Sequence, residues 1–288
     1  MAVSVPATNA DLRPAAQRTR FGWGRWGVRG LALTYLVIML LIPLLVIFQD
    51  GLSAGPIELW RAVRLPVARS ALWLTLWTAA IMAVINGVMG TLTAYVLVRY
   101  QFPGKTILNG IVDLPFSIPT LVTGVMLVVL YGPQSAIGGW LEQSLGWHII
   151  FAPSGIILAL LFVTFPFVVR AVQPVLESLD RDQEEAASTL GAGPWTIFRR
   201  VVLPAIAAPL TTGTLLSFAR AIGEFGAIVI VAGNIPFHSE TAAVYVLGEI
   251  ESENRRGASA MSVVMLTLAF AIVLLVDVIQ RRQRREAK

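Results

Sequence analysis

The sequence has 288 residues, of which 56% are hydrophobic and only 14% are charged. A soluble domain carries roughly 25% charged residues, so this chain has too little charge to cover a water-facing surface, and we predict a helical membrane bundle. The absence of cysteine excludes disulfides, cysteine nucleophiles and thiolate metal sites. The net charge of +5 comes from basic residues at the ends of apolar segments, which is typical of a membrane protein and argues against nucleic-acid binding.

The first apolar segment, residues 31–48, follows a long polar and basic stretch. Its uninterrupted apolar run exceeds the roughly 7–15 residues of a signal-peptide core, so we predict a retained membrane helix. Residues 1–29 are predicted to be a cytoplasmic N-terminal tail, disordered over residues 1–20.

Six segments are apolar and long enough to cross a bilayer, which takes about 20 helical residues. They are residues 31–48, 71–98, 107–130, 149–169, 205–231 and 258–279. With the N-terminus inside, the inner segments hold sixteen Lys and Arg residues and the outer loops hold five. Because cytoplasmic loops carry the basic excess, both termini are predicted to be cytoplasmic. Residues 30–280 then form the membrane domain, and residues 281–288 form a basic cytoplasmic tail.

The longest cytoplasmic connection, residues 170–204, contains signals for two short helices. Asp180 followed by Gln183 resembles a capping box. Gly191 and Gly193 can end the first helix, and Pro194 suits the first position of a second helix. On this pattern alone, a partner-docking role and a plain amphipathic re-entry helix are equally compatible with the segment.

The fifth apolar segment contains a polar stripe. Gly213, Ser217, Arg220 and Glu224 are spaced by four, three and four residues, which predicts one narrow helix face. Arg220 and Glu224 can neutralise one another as an i,i+4 pair. Because an unpaired arginine at mid-bilayer is costly, the stripe should face the bundle interior or a water-filled path. A translocation path that meets an anion and a structural ion pair between helices both remain open.

Other polar residues give weaker signals. Asp113, close to Pro115 and Pro119, suggests either a kinked cavity wall or a helix cap, and Asp277 is expected to pair with a neighbouring arginine. His148 and His238 are too few for a metal cluster. No hydrolase, zinc-protease or nucleotide-binding motif is present, so no catalytic residue, metal site or cofactor is predicted.

The 170–204 connection also carries a longer pattern. Glu185-Ala186-Ala187, three residues, Gly191, nine residues and then Val201-Val202-Leu203-Pro204 resembles the EAA motif of importer-type ABC permeases, with Val201 in place of isoleucine. We call residues 170–204 the EAA loop. Its position before the penultimate span also matches the family.

The resemblance narrows to the sulfate/thiosulfate permeases. It is carried by residues 114–116, 166–170 and 173–177, and by the Ala-Arg-Ala-Ile-Gly-Glu-Phe-Gly-Ala run over residues 219–227. The Val-Gln-Pro-Val run and residues 232–234 are closer to T-type than to W-type subunits. The resemblance covers about residues 30–280 and leaves out the preceding tail.

The resemblance implies an all-α membrane protein with six transmembrane helices and the type I ABC importer permease (MetI-like) fold. Its expected location is the bacterial cytoplasmic (inner) membrane, among membrane lipid. The implied partners are two ATP-binding subunits, a homologous W-type permease subunit and a periplasmic sulfate/thiosulfate-binding protein. ATP hydrolysis is expected in a partner subunit, so this chain is expected to be a transport component and not an enzyme.

The resemblance also assigns roles to individual residues. The EAA loop would couple this chain to the ATPases, with Glu185, Ala186 and Ala187 opening it, Gly191 making its bend and Pro204 closing the motif. Ser217, Arg220 and Glu224 would belong to the substrate path.

Three alternatives remain open at this point. Molybdate and tungstate permeases share the EAA loop and the Arg-x-x-x-Glu-Phe-Gly stretch. A stand-alone secondary transporter or channel would be expected to contain broken helices, which the proline-rich third span allows. A purely structural membrane scaffold would have no need for the polar stripe.

Overall fold

The computed structural model describes the backbone of residues 23–53 and 55–286, and the side chains of residues 26–53 and 55–281. Within this part, the chain is helical and contains no strand. Two compact units are distinguished, Met1–Val46 and Ile47–Lys288. The tail predicted over residues 1–29 lies outside the described residues as far as residue 22, and residues 23–29 are helical.

The helix near the N-terminus is long and apolar. α1 (Trp23–Leu36) continues through a π-helical turn (Val37–Leu41) into α2 (Ile42–Leu52). In this π turn the Ile42 N–H donates to the Val37 carbonyl, five residues back, and Pro43 follows directly. Most of the side chains from residue 26 to residue 46 are exposed, as expected of a helix that contacts lipid or another membrane helix.

The other helices follow in chain order, joined by short loops. They are α3 (Pro56–Arg64), α4 (Pro66–Arg99), α5 (Lys105–Ser117), α6 (Thr120–Tyr131), α7 (Ala136–Leu145), α8 (Pro153–Ser178), α9 (Arg181–Thr189), α10 (Pro194–Ile197), a second π turn (Phe198–Val202), α11 (Leu203–Ile222), α12 (Gly226–Ala232), α13 (Ala242–Glu251) and α14 (Arg255–Glu286). Prolines open several of these helices, where their missing N–H is tolerated.

Six spans result when the bent pair α5–α6 is taken as one crossing. Five continuous helices are long and apolar enough to cross a membrane: Trp26–Leu52, Pro66–Arg99, Pro153–Ser178, Pro194–Ile222 and Arg255–Arg281. α14 continues to Glu286, so most of the predicted tail over residues 281–288 is helical. The predicted six-helix architecture is confirmed.

Two of the predicted spans are not single helices. The third, predicted over residues 107–130, bends by 111° between α5 and α6, where Pro119 precedes the new helix. The fifth, predicted to continue to residue 231, ends at Ile222, and residues 223–225 separate it from α12. Glu224 therefore does not share a continuous helix with Arg220. The prediction that Glu224 lies on one helix face with Gly213, Ser217 and Arg220 was wrong.

The core of the second unit lies where α4, α8 and α11 meet. Met82, Leu160 and Ile222 from these three helices are almost completely buried. Asn86 is one of the buried polar residues of this core, and its Nδ2 donates to Thr164 Oγ1 (2.9 Å) and to the Leu161 carbonyl (3.2 Å) on α8. A polar side chain in an apolar helix is stable here because its hydrogen bonds are satisfied by the neighbouring helix.

Candidate functional site

The EAA loop folds as two helices joined by a glycine turn. Asp180 caps α9, and its Oδ1 accepts from the Asp182 N–H at 3.1 Å. Gly191 has φ of +83°, a conformation that favours glycine. α10 then starts at Pro194, as the sequence predicts. The order of cap, helix, turn and helix in the structure is thus the order that the local sequence predicts.

The turn of this loop exposes large apolar side chains. Leu190 is 88% exposed and Trp195 is 71% exposed, while Glu185 and Ala186 beside them are also exposed. The Trp195 ring stacks on Phe198 with ring centroids 5.8 Å apart, and Phe198 in turn contacts Tyr95 of α4 edge-on at 5.7 Å. Leu190 and Trp195 therefore form an exposed apolar tip of the loop, and Phe198 packs against the Trp195 ring. Exposed apolar patches are a feature of protein contact surfaces.

An ion pair holds α9 against the end of α4. Arg99 Nη2 lies 2.5 Å from Glu184 Oε1, and both side chains are largely buried, with 9% and 17% exposure. Sequence reasoning missed this pair, because Arg99 and Glu184 belong to different helices and Glu184 directly precedes the Glu-Ala-Ala motif. The contact ties the EAA loop to a core helix.

Pro204 follows the second π turn. The Leu203 N–H donates to the Phe198 carbonyl, five residues back. A proline cannot donate and its ring crowds the carbonyl four residues earlier, so it strains a regular α-helix. The wider π turn placed before Pro204 lets α10 and α11 continue as one helix from Pro194 to Ile222. The same order of π turn and proline occurs at Pro43.

The first half of the predicted polar stripe faces α8. A Cβ atom at Gly213 would lie 2.8 Å from the Ala171 Cβ, so the absence of a side chain allows α11 and α8 to approach closely. Ser217 is fully buried, and its Oγ donates to the Thr164 carbonyl at 3.3 Å. Here the stripe faces the bundle interior.

Arg220 and Glu224 lie at the break between α11 and α12. Arg220 Nη2 is 2.7 Å from Glu224 Oε2, so the predicted ion pair forms although the helix has ended. Glu224 Oε1 accepts from the Ala227 N–H at 3.0 Å, in the first turn of α12. The Glu224 side chain is 1% exposed, while Arg220 is 37% exposed. The buried Glu224 carboxylate therefore fixes the position of the more exposed Arg220 guanidinium.

A second arginine, Arg170 on α8, forms a far denser network. Its Nε and Nη2 donate to the two carboxylate oxygens of Asp113 on α5, at 2.7 and 2.6 Å. Its Nη1 donates to Asn109 Oδ1 (2.9 Å) and Gln173 Oε1 (2.6 Å), and its Nη2 also donates to the Asn109 carbonyl (2.8 Å). Five bonds match the five N–H donors of a guanidinium. This network was not predicted from sequence.

A cavity of about 1040 Å³ lies between α4, α5, α6 and α8. Its lining is almost wholly apolar, with Asn86, Thr93, Thr123 and Tyr131 as the polar exceptions. Neither Arg170 nor Arg220 contributes to its walls, so this cavity is chemically unsuited to an anion.

The loop between α12 and α13 buries a carboxyl group. Glu240 is 7% exposed, and its Oε2 has no hydrogen-bond partner among the described residues. Burial raises the pKa of Glu240 above its ordinary value, and the negative charge of Glu249 raises it further. Among the described residues, no group of three His, Cys, Asp or Glu side chains could hold a metal ion.

Comparison with solved structures identifies the fold. The backbone matches a chain of a bacterial ABC transporter involved in the import of the acidic polysaccharide alginate, with a TM-score of 0.74, 16% identity, and coverage of 91% of this chain and 96% of that chain. It also matches a chain of the MetNI methionine ABC transporter, with a TM-score of 0.54, 20% identity, and coverage of 79% and 98%. The fold is that of ABC importer permeases, as predicted.

Sequence comparison gives the family. Residues 86–285 match the family described as the inner membrane component of binding-protein-dependent transport systems, and the chain belongs to this family. It is a multi-pass inner-membrane transport component and not an enzyme.

Several similar proteins carry more specific names. The chain is 42% identical to the probable sulfate transport system permease protein cysT of Nephroselmis olivacea, over 88% of this chain and 89% of that protein. It is 37% identical to the sulfate transport system permease protein CysT of Synechocystis, over 95% and 96%. It is 42% identical to the Synechocystis permease CysW, over 88% and 91%.

Proposed function

We propose that this chain is the T-type permease subunit of an ATP-driven importer of sulfate or thiosulfate. The observation that carries the proposal is the 42% identity, over 88% of the chain, to a probable sulfate transport system permease. In the proposed assembly, a W-type permease completes the pathway, two ATP-binding subunits supply the energy, and a periplasmic binding protein delivers the oxyanion. The chain lies in a bacterial cytoplasmic membrane with both termini in the cytoplasm.

In this assembly the EAA loop is the contact with an ATPase. Its exposed Leu190 and Trp195 offer apolar area, and the Gly191 turn sets the angle between α9 and α10. On α9, Glu185 and Ala186 are exposed to the partner and Ala187 is half-buried, while Pro204 with its π turn joins the loop to α11. A short helix pair of this kind can move as a rigid body when its partner closes.

Arg220 is the proposed contact for the oxyanion in transit. Among the described residues, Glu224 is its one charged partner, so most of its N–H donors remain available. Glu224 already offsets part of the positive charge, which suits a weak and reversible contact because a translocating ion must be able to leave. Ser217 supports the same segment from the buried side of α11.

The proposed function is tested by reconstituting the chain with its three kinds of partner in proteoliposomes. We expect sulfate uptake that requires ATP and the binding protein, and that excess thiosulfate reduces more than excess molybdate or tungstate does. Uptake that molybdate abolishes would assign the chain to the molybdate class. Sulfate uptake by the permease subunits alone, without ATPase subunits or ATP, would contradict the proposal.

The docking role of the EAA loop has its own test, co-purification of the ATPase subunit. Trp195→Asp is expected to abolish it, because a charge replaces the apolar tip. Trp147→Asp is the matched control, since Trp147 is 65% exposed but lies before the opposite end of α8. Equal retention of the ATPase by both variants would contradict docking at Trp195.

A further inference from the structure

The five bonds of Arg170 define what this arginine can do. All of its N–H donors are used within the protein, so none is left for a passing anion. Two of the three side chains that it contacts, Asn109 and Asp113, belong to α5, while Arg170 and Gln173 belong to α8. Arg170 is therefore a tie between two helices rather than a substrate contact.

The tie lies between α9, the first helix of the EAA motif, and the bend in the third span. α8 ends at Ser178, and α9 starts at Arg181 after a two-residue connection. α9 is in turn held to α4 by Glu184 and Arg99. On the other side of the tie, α5 runs from Lys105 to Ser117 and ends at the 111° bend. A displacement of α9 along α8 therefore reaches the bend through Arg170 and Asp113.

The outer arm of the same span belongs to a different group of helices. α6 packs on α12, where a Cβ atom at Gly124 would lie 2.7 Å from the Ala227 carbonyl oxygen. A Cβ atom at Gly226 would lie closer still to Thr120 Oγ1 at the start of α6. Because α12 follows the Arg220–Glu224 break, α6 is joined to the candidate substrate contact, while α5 is joined to the EAA loop.

We propose that Arg170 and Asp113 are positioning residues that transmit movement of the EAA loop to the inner arm of the broken third span, so that α5 and α8 move as one body and the residues between Ser117 and Thr120 act as the hinge. This inference rests on the proposed function, because it requires a transport cycle driven by ATP. It assigns a coupling role to two residues outside both the EAA motif and the Arg220 site.

The experiment measures sulfate transported per ATP hydrolysed in the reconstituted full importer. Arg170→Gln and Asp113→Asn are each expected to lower this ratio at least about fivefold, the lower end of coupling between linked sites, while ATP hydrolysis continues. Arg281→Gln is the matched control, because it removes the exposed Arg281–Asp277 pair of α14, and it should leave the ratio unchanged. An unchanged ratio in both Arg170 and Asp113 variants would overturn the proposal.

A covalent tie provides a second measurement that separates transmission from a merely structural role. The chain contains no cysteine, so Asn109→Cys and Gln173→Cys introduce a unique thiol pair on α5 and α8. Both residues contact the same Arg170 nitrogen, which places their side chains within reach of a short bifunctional thiosulfonate reagent. Cross-linking this pair in the Arg170→Gln background should restore the transport-to-ATP ratio, and reduction should abolish it again.

With Arg170 intact, the same cross-link distinguishes the alternatives. If α5 and α8 move as one body, the cross-linked importer retains its ratio, whereas relative movement of the two helices would make the cross-link block transport and overturn the proposal. Should Arg170→Gln fail to assemble, this cross-link with Arg170 present still decides the question. Failure of the proposed function is distinguishable, because the unmodified importer would then show no ATP-dependent sulfate uptake at all.

Discussion

Arg170 and Arg220 both lie in helices that are long and apolar enough to cross a membrane, Pro153–Ser178 and Pro194–Ile222, and the structure uses them in opposite ways. Arg170 donates five hydrogen bonds and is 29% exposed beside Asp113. Arg220 has one charged partner among the side chains that the structure describes and is 37% exposed. Their exposure is similar, so the difference lies in the number of donors that remain available. An arginine in a membrane helix is thus diagnostic of substrate contact only when its donors are not already satisfied.

The largest effect that this comparison predicts concerns transport by Arg220 variants. Arg220→Ala should lower sulfate transport about ten- to a hundredfold, because a charge-assisted hydrogen bond is worth roughly 1.5–3 kcal/mol. The melting temperature of the purified subunit should fall as well, because Glu224, which is 1% exposed, is left without its cation. Radiolabelled uptake and a melting curve measure the two quantities. Transport at the unaltered rate would remove Arg220 from the substrate path.

A smaller effect is predicted for the stability of Arg170 variants. Arg170→Ala leaves Asp113 without its cation and should lower the free energy of unfolding by about 2 kcal/mol, the scale of hydrogen bonds to charged groups. For a chain of this size the melting temperature in detergent should fall by roughly 3 °C. Arg281→Ala, at an exposed pair on α14, should change stability by no more than about 1 kcal/mol. Equal melting temperatures for Arg170→Ala and Arg281→Ala would show that the Arg170 network contributes no more to stability than an exposed ion pair.

The smallest predicted effect concerns Glu240, a buried carboxyl group that forms no ion pair among the described residues. Because the pKa of Glu240 is raised in the folded protein, the folded state binds this proton more tightly than the unfolded state. The contribution of Glu240 to stability is therefore full below the unfolded pKa and is lost as the pH rises through the folded pKa. Glu240→Gln should stabilise the protein at pH 7.5 by up to about 1 kcal/mol, a typical single-substitution effect, with no gain near pH 4. Melting curves at the two pH values test this, and a gain that grows on acidification would contradict it.

The parts of the fold that sequence predicted are those governed by local chemistry. Asp180, Gly191 and Pro194 each act within a few residues of their own position, and all three have the predicted roles. The Asp277–Arg281 pair is likewise one helical turn long. The membrane spans follow from the length of the apolar runs, so their number was also predictable.

The parts that sequence missed depend on contacts between distant elements. Arg170 and Asp113 are 57 positions apart, and nothing in the spacing of one helix indicates the other. The end of α11 at Ile222 was missed because the apolar segment 205–231 contains no proline after Pro209, and the capping of the following helix by Glu224 looks in sequence like one more i,i+4 position. The 111° bend was signalled by Pro119, although its size depends on how α6 packs against α12.

The apolar tip of the EAA loop has a consequence for the fate of a newly made chain. Leu190 and Trp195 are among the most exposed large apolar side chains described; Leu190 precedes the apolar helix Pro194–Ile222, and Trp195 is the second residue of that helix. An unassembled subunit therefore exposes an apolar surface to water, which is an aggregation hazard. Synthesis together with its assembly partners would cover this surface early. The same two exposed side chains would make an unassembled subunit a target for degradation.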